Sequence, residues 1–271
     1  MDRRPHLLDD WSASRPAPLD ADDVHVWRIA LDDESRLDEC WALLSDIEQA
    51  KARRFYRDMH RRRYVVAHGT MRAILARYLG EPAESLCFAE GEHGKPSLVR
   101  ASNASQPRVE FNLSHSDELG LVAVALDRPV GVDLERWSTE TEHLELAERF
   151  FSPVERVALR ALGDDLERLT AGFFAAWTRK EAYLKATGEG ITRGLHHFDV
   201  SLAPDEGARL LADRLDPAAA ERWTMQALAP AAGFSAALVA TAPLREVRLF
   251  DAGLVRSSGA LEPLLAGGRS P

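Results

Sequence analysis

Cysteine is nearly absent from the 271-residue chain: Cys40 and Cys87 are the two present. They form neither a disulfide framework nor a metal-binding spacing, so both are expected as buried free thiols. Apolar runs of the roughly 20 residues that a bilayer crossing needs are also missing, and the opening MDRRPHLLDDWSAS has no apolar stretch of signal-peptide length. The expectation is a cytoplasmic protein without membrane contact. Positive charge is in deficit, with 34 Lys and Arg against 43 Asp and Glu and a net charge of -9. That balance argues against nucleic-acid binding, which relies on excess cations to neutralise phosphates. No short-period repeat is visible, so any duplication is expected to be structural rather than obvious in the sequence.

What is present suits a globular protein with a substantial core, since 45% of the residues are hydrophobic. One segment reverses the overall charge. KARRFYRDMHRRR, from Lys51 to Arg63, sets seven Lys or Arg against one Asp and is therefore +6, leaving -15 for the rest. A solvated helix face is the ordinary meaning of such a run; an anion site is the functional one. The patterning predicts a strand at 24–31, helices at 37–47 and 64–79, and strands around 86–98, 109–113, 120–126 and 130–135. SHSDE, after Leu113, reads as a loop, and the short Asp127-Arg128-Pro129 link predicts an antiparallel hairpin. Helices follow at 144–151, 153–162 and 169–186, with Ser152 placed to cap the second and Pro153 at its first position. Strands return at 223–228, 234–240 and 247–249. Strands and helices thus recur in two portions: a loosely held arm at 1–20, an N-terminal half at 21–128, and a C-terminal half at 129–271 that includes a weakly patterned tail.

Several residues stand out chemically. In WTRKEAYLKATGEGI, Phe173, Phe174, Trp177 and Leu184 form one stripe of a helix at about 100° per residue, and Glu181 falls inside that stripe with Lys185 beside it. A carboxylate buried among apolar groups neutralises or finds a cation, so Glu181 calls for Lys185 or a metal ion. In GVDLE, the two-residue period of a strand puts Asp133 and Glu135 on one face. Two acids on a strand face are ordinarily just solvated. If a third converges on them, a hard divalent cation relieves their repulsion, and Mg²⁺ suits one or two carboxylates completed by waters and substrate phosphates. His115, in FNLSHS, is placed to bind a phosphate or act as a base, although surface histidines are commoner. Lys95, in GKP, reads as a hairpin-tip lysine in solvent.

RRF, GKP, FNLSHS, GVDLE, FFSPVE and WTRKEAYLKATGEG occur together and in this order. The set resembles the phosphopantetheinyl transferases, specifically the monomeric, pseudo-dimeric type that activates carrier proteins of peptide and polyketide synthetases. The resemblance spans about Lys51 to Ile191. It implies an α+β fold of two similar halves related by pseudo-twofold symmetry, with coenzyme A and the active site in the cleft between them. It implies transfer of the 4'-phosphopantetheine arm of coenzyme A to a serine of an apo carrier protein (acyl, peptidyl or aryl), releasing adenosine 3',5'-bisphosphate. By the same resemblance Asp133, Glu135 and Glu181 match magnesium ligands, with manganese as a substitute, and Glu181 also matches the residue that activates the acceptor serine. Asp133, Glu181 and Lys185 would form the catalytic set. Lys180 and Lys185 match pyrophosphate contacts. Ser114, His115, Lys95 and Arg63, with Lys51 and Arg53 as weaker members, match positions around the adenosine 3'-phosphate. Glu48 and Gln49 stand where the family often carries another base. Two other classes remain open: a non-catalytic relative that binds coenzyme A or carrier, and a metal-dependent nuclease. The nuclease pattern usually has a lysine two residues after the acid on the same strand, whereas Arg136 and Trp137 follow Glu135.

Overall fold

The computed structural model describes residues 7–8, 18–99, 107–138 and 142–254. The strands among them are β1 (Leu7–Leu8), β2 (Asp23–Ala30), β3 (Phe88–Glu90), β4 (Pro96–Leu98), β5 (Val109–Ser116) and β6 (Leu119–Leu126). They continue with β7 (Val130–Arg136), β8 (Phe198–Val200), β9 (Leu210–Asp213), β10 (Trp223–Leu228), β11 (Phe234–Thr241) and β12 (Glu246–Asp251). The α-helices are α1 (Leu37–Leu43), α2 (Asp46–Ala52), α3 (Asp58–Leu79), α4 (His143–Phe150), α5 (Pro153–Arg160), α6 (Leu166–Thr187) and α7 (Ala219–Arg222). None is long and apolar enough to cross a membrane. The mixed α+β class expected from the sequence is present. The chain divides into two compact units: one comprises Arg128–Leu244 and β1, the other the described part of Trp11–Asp127 and the chain from Arg245.

In the N-terminal unit the sheet order is β12-β2-β6-β5, and α3 covers it. Trp27, Ile29, Phe111, Val122 and Val124 meet Ile74 and Tyr78 in a core closed to solvent. The Tyr78 hydroxyl accepts from Trp27 Nε1 and faces His25 Nδ1, both at 2.8 Å, so these three side chains share one buried hydrogen-bonded contact. The helix expected at 37–47 is two helices, because Ser45 starts α2 with a capping box: Glu48 N–H donates to Ser45 Oγ while Ser45 N–H donates to the Glu48 carboxylate. Glu48 also receives Arg72 Nε at 2.7 Å, which accounts for an acid at this position. Burial opposes its charge, but His68, Arg72 and Ser45 hold it down at about 2. The basic segment is therefore the end of α2, a short linker and the first turn and a half of α3. There Asp58 offsets part of the charge by pairing with Arg61 and Arg62.

Four further expectations change. SHSDE is not a loop: β5 runs through Ser114, His115 and Ser116, and the turn is Asp117-Glu118, with Asp117 at φ 50°. A polar strand end needs no burial to keep its ladder, and aspartate tolerates the left-handed region. The strands flanking Asp127-Arg128-Pro129 do not pair. Both edges of β6 are taken, by β2 and β5, so β7 joins a separate sheet. The strand assigned to the C-terminal half at 247–249 lies in β12, parallel to β2 in the N-terminal unit. Cys87, expected inside, is exposed, while Cys40 is buried. Most of the N-terminal arm and the tail beyond residue 254 lie outside the described residues; β1 pairs with β10.

The C-terminal unit has the sheet order β1-β10-β11-β7, covered by α6. Phe173, Phe174, Tyr183 and Leu184 of α6 pack with Met225, Ala237 and Val239 of the sheet and with Phe151 and Leu159 of the α4–α5 segment. Ser152 caps α5 with Glu155 as its reciprocal partner and Pro153 at the first position. Gly131 decides how close α6 comes: a Cβ there would stand 2.1 Å from the Ala182 carbonyl oxygen and 2.4 Å from Ala186 N. Only glycine permits that approach of helix to strand.

Candidate active site

The site of the C-terminal unit is built on β7 and α6. Asp133 and Glu135 pair with Ala237 and Ser235 of β11 and share one face of β7. Asp133 is buried at 3% exposure although it is a carboxylate, so its environment must supply positive charge. Lys185, in the last turn of α6, does so with Nζ 2.6 Å from Asp133 Oδ1. Glu181, one turn earlier on the same side of α6, feels all three of these charges. Burial, then Asp133 and to a smaller extent Glu135, push its carboxyl up to about 7 against the pull of Lys185. The stripe of Phe173 and Trp177, stacked at 5.8 Å between ring centres, seats the helix.

The sequence placed Glu181 beside Lys185; the folded chain adds Asp133 and Glu135, whose negative charge raises Glu181. Among the described residues no three His, Cys, Asp or Glu side chains are already gathered as a metal cluster. The donor set nevertheless fits a hard cation: a carboxylate pushed up to about 7 by burial and then by the repulsion of Asp133 and Glu135 is one whose charge such a cation would favour.

Lys180 lies elsewhere. Its side chain is 0% exposed, and its ammonium sits 2.8 Å from Glu155 Oε1 while donating to the carbonyl oxygens of Leu195 at 2.8 Å and Phe198 at 2.6 Å. An ammonium has three protons, and all three are spent. The hydrogen bonds that the expected pyrophosphate contact would need are made inside the protein in this structure. Burial draws the Lys180 pKa down and the Glu155 pKa up, each opposed by its partner.

In the N-terminal unit, Arg63 on α3 pairs with Asp32 at 2.7 Å and with Asp117, which ties the start of α3 to the turn that ends β5. His115 is exposed on the face of β5 that also carries Phe111 and Leu113, toward α3; Ser114 is buried and, by strand alternation, on the opposite face. The two side chains expected together thus diverge, while Arg63 and the His115 end of β5 are brought together. Lys95 is half-buried rather than at a solvated tip, and burial lowers its pKa against the pull of Glu110. Lys51 lies 5.5 Å over the Tyr64 ring. Arg53 lies 5.1 Å over Trp41 and donates to Gln49 Oε1. Sequence reasoning missed Glu155, Asp117 and Gly131. Of these, Glu155 was accessible through the S-P-V-E capping pattern and Gly131 through its place in GVDLE.

Comparison with known proteins covers both units. A family model described as 4'-phosphopantetheinyl transferase, N-terminal, matches residues 32–127, and one described as the 4'-phosphopantetheinyl transferase superfamily matches residues 129–241. The 4'-phosphopantetheinyl transferase HetI of Nostoc sp. is 41% identical over 211 residues, covering 78% of this chain and 84% of that protein. The 4'-phosphopantetheinyl transferase psf-1 of Bacillus pumilus is 35% identical over 199 residues, covering 72% and 81%. The 4'-phosphopantetheinyl transferase Sfp of Bacillus subtilis is 32% identical over 165 residues, covering 60% and 69%. Both units match, and the aligned share of HetI is most of its length, so the chain belongs to the 4'-phosphopantetheinyl transferase superfamily.

Proposed function

We propose that the chain transfers the 4'-phosphopantetheine arm of coenzyme A to a serine hydroxyl of an apo carrier protein. The serine oxygen forms a bond to the β-phosphorus, the bond from that phosphorus to the bridging oxygen breaks, and adenosine 3',5'-bisphosphate leaves. Negative charge gathers on phosphate oxygens, so the chain's work is positioning and electrostatic stabilisation. The observation that carries this reading is the Lys185–Asp133 pair between α6 and β7, with Glu135 on the same strand face and Glu181 one turn earlier on α6 under the influence of all three charges.

Asp133, Glu135 and Glu181 are the residues that would hold Mg²⁺, which when bound supplies Lewis-acid neutralisation of phosphate charge. Lys185, already at the carboxylate cluster, is assigned to the pyrophosphate. Glu181 is also assigned the serine proton, taken directly or through a water, because its carboxylate lies beside the proposed cation where the acceptor oxygen must approach. His115, Arg63 and Lys95 are assigned to the adenosine 3'-phosphate, with Lys51 and Arg53 as outer cations and Ser114 contributing through its backbone at most. The deciding experiment incubates the protein with coenzyme A, Mg²⁺ and a panel of apo carrier proteins. Metal-dependent gain of the phosphopantetheine mass on a carrier serine is expected. A panel that stays unmodified while coenzyme A binds would establish a binding protein without transfer.

A further inference from the structure

Arg179, Lys180 and Tyr183 fall within an arc of about 100° on α6, whereas Glu181 and Lys185 lie within about 40° of each other on the opposite side. Every member of the first set is bolted to the segment that follows the helix or to α5. Arg179 donates to the Ser201 carbonyl oxygen and, at 3.0 Å, to Ser201 Oγ. Tyr183 donates to Asp213 at 2.7 Å. Lys180 joins Leu195, Phe198 and Glu155, and its ammonium lies 4.3 Å from the centre of the Phe198 ring. Glu155 in turn receives the backbone N–H of Val200 at 2.8 Å and that of Ser152 at 2.9 Å. One buried carboxylate therefore joins the start of α5, strand β8 and helix α6.

We propose that Lys180, paired with Glu155, is a positioning residue: it sets the rotation of α6 about its own axis and so aims Glu181 and Lys185 at Asp133 and Glu135. The role rests on the transferase reading above, and it replaces the phosphate contact that the family resemblance implies for this lysine. The leverage is geometric. Rotating a helix by 20° moves a side-chain tip at its rim by about 2 Å, and a misplacement of about 1 Å at a reacting centre costs on the order of 100-fold in rate. An apolar contact at position 180 would leave that rotation loosely defined, because apolar packing is not directional. Three fixed acceptors around one ammonium define it.

The test uses the full-length protein with Lys180→Met, Glu155→Gln and the double variant, each assayed well below its unfolding midpoint and checked for wild-type circular dichroism. Both single variants are expected to lose about 100-fold in kcat, and the double variant no more than about threefold beyond the worse single, since one pair is being broken. Coenzyme A affinity measured without metal is expected to stay within about threefold of wild type. Loss of stability alone would not lower kcat in folded protein, so it does not mimic this result. Tenfold or greater weakening of metal-free coenzyme A binding by Lys180→Met alone would make Lys180 a phosphate ligand and overturn the proposal. So would wild-type kcat in Glu155→Gln, which decides the matter even where Lys180→Met does not fold. Failure of the wild-type protein to modify any carrier would instead defeat the transferase reading, and the metal-free binding arm would still separate the two roles for Lys180.

Discussion

At the scale of single residues, the pairing of Asp133 with Lys185 at 2.6 Å and the raised carboxyl of Glu181 make one electrostatic unit. Its pH signature follows from linkage. Glu181 moves from its ordinary 4.5 up to about 7 on folding, so the native state binds its proton more tightly than the unfolded chain does. Its contribution to stability is present below 4.5 and is lost as pH rises through about 7, a span worth up to about 3 kcal/mol. Asp133→Asn removes the larger of the two carboxylate repulsions. Denaturant unfolding of metal-free protein from pH 4.5 to 7.5 should therefore show a shallower fall for the variant than for wild type. Equal slopes would mean that Asp133 does not act on Glu181. The same variant should lose turnover by orders of magnitude, because it also deletes a charge from the proposed cation site.

At the scale of elements, the contact of α6 with β7 is set by a glycine and two alanines. The Cβ of Gly131→Ala would meet backbone atoms of α6 at 2.1 and 2.4 Å, which no rotamer relieves, so strand or helix must shift. Overpacking of this kind costs about 1–3 kcal/mol. It should also pull Glu181 and Lys185 away from Asp133, so the expected outcome is a lower unfolding midpoint together with a loss of kcat out of proportion to the unfolded fraction. Unchanged kcat in the folded variant would show that the site tolerates a wider spacing. Gly69 plays the same part in the other unit, where a Cβ would fall 2.5 Å from that of Cys40 and force α1 from α3.

At the scale of the whole molecule, the charge is polarised: +6 in Lys51–Arg63 against -15 elsewhere. Arg63 enters this pattern tied to Asp32 and Asp117, which places its guanidinium at the end of β5 that carries His115. The expectation for a 3'-phosphate site is selective. His115→Ala and Arg63→Ala should each raise KM for coenzyme A by the equivalent of about 1.5–3 kcal/mol. With dephospho-coenzyme A, which lacks that phosphate, they should have much smaller effects. Lys185→Ala should impair both substrates alike, because both retain the pyrophosphate. Equal losses on the two substrates for His115→Ala would move that residue to the reacting centre.

Periodicity alone determined the acid within the apolar stripe of α6, the shared face of Asp133 and Glu135, and the start of α5 at Ser152 and Pro153. Each depends on residues within a turn or two of one another, where backbone geometry dictates which side chains share a face. The ordered motifs also pointed to the family. Partners distant in the chain were not legible there. Nothing near Lys180 shows that Glu155 waits 25 positions earlier, or that β12 returns to β2 across more than 200 residues. The hairpin expected between β6 and β7 failed for the same reason, since only the assembled sheet shows that both edges of β6 are already occupied. Local pattern says which face is to be buried; which partner covers it, and which buried charge finds which counter-charge, is decided by the competition among all edges and faces for burial and hydrogen bonds in the folded chain.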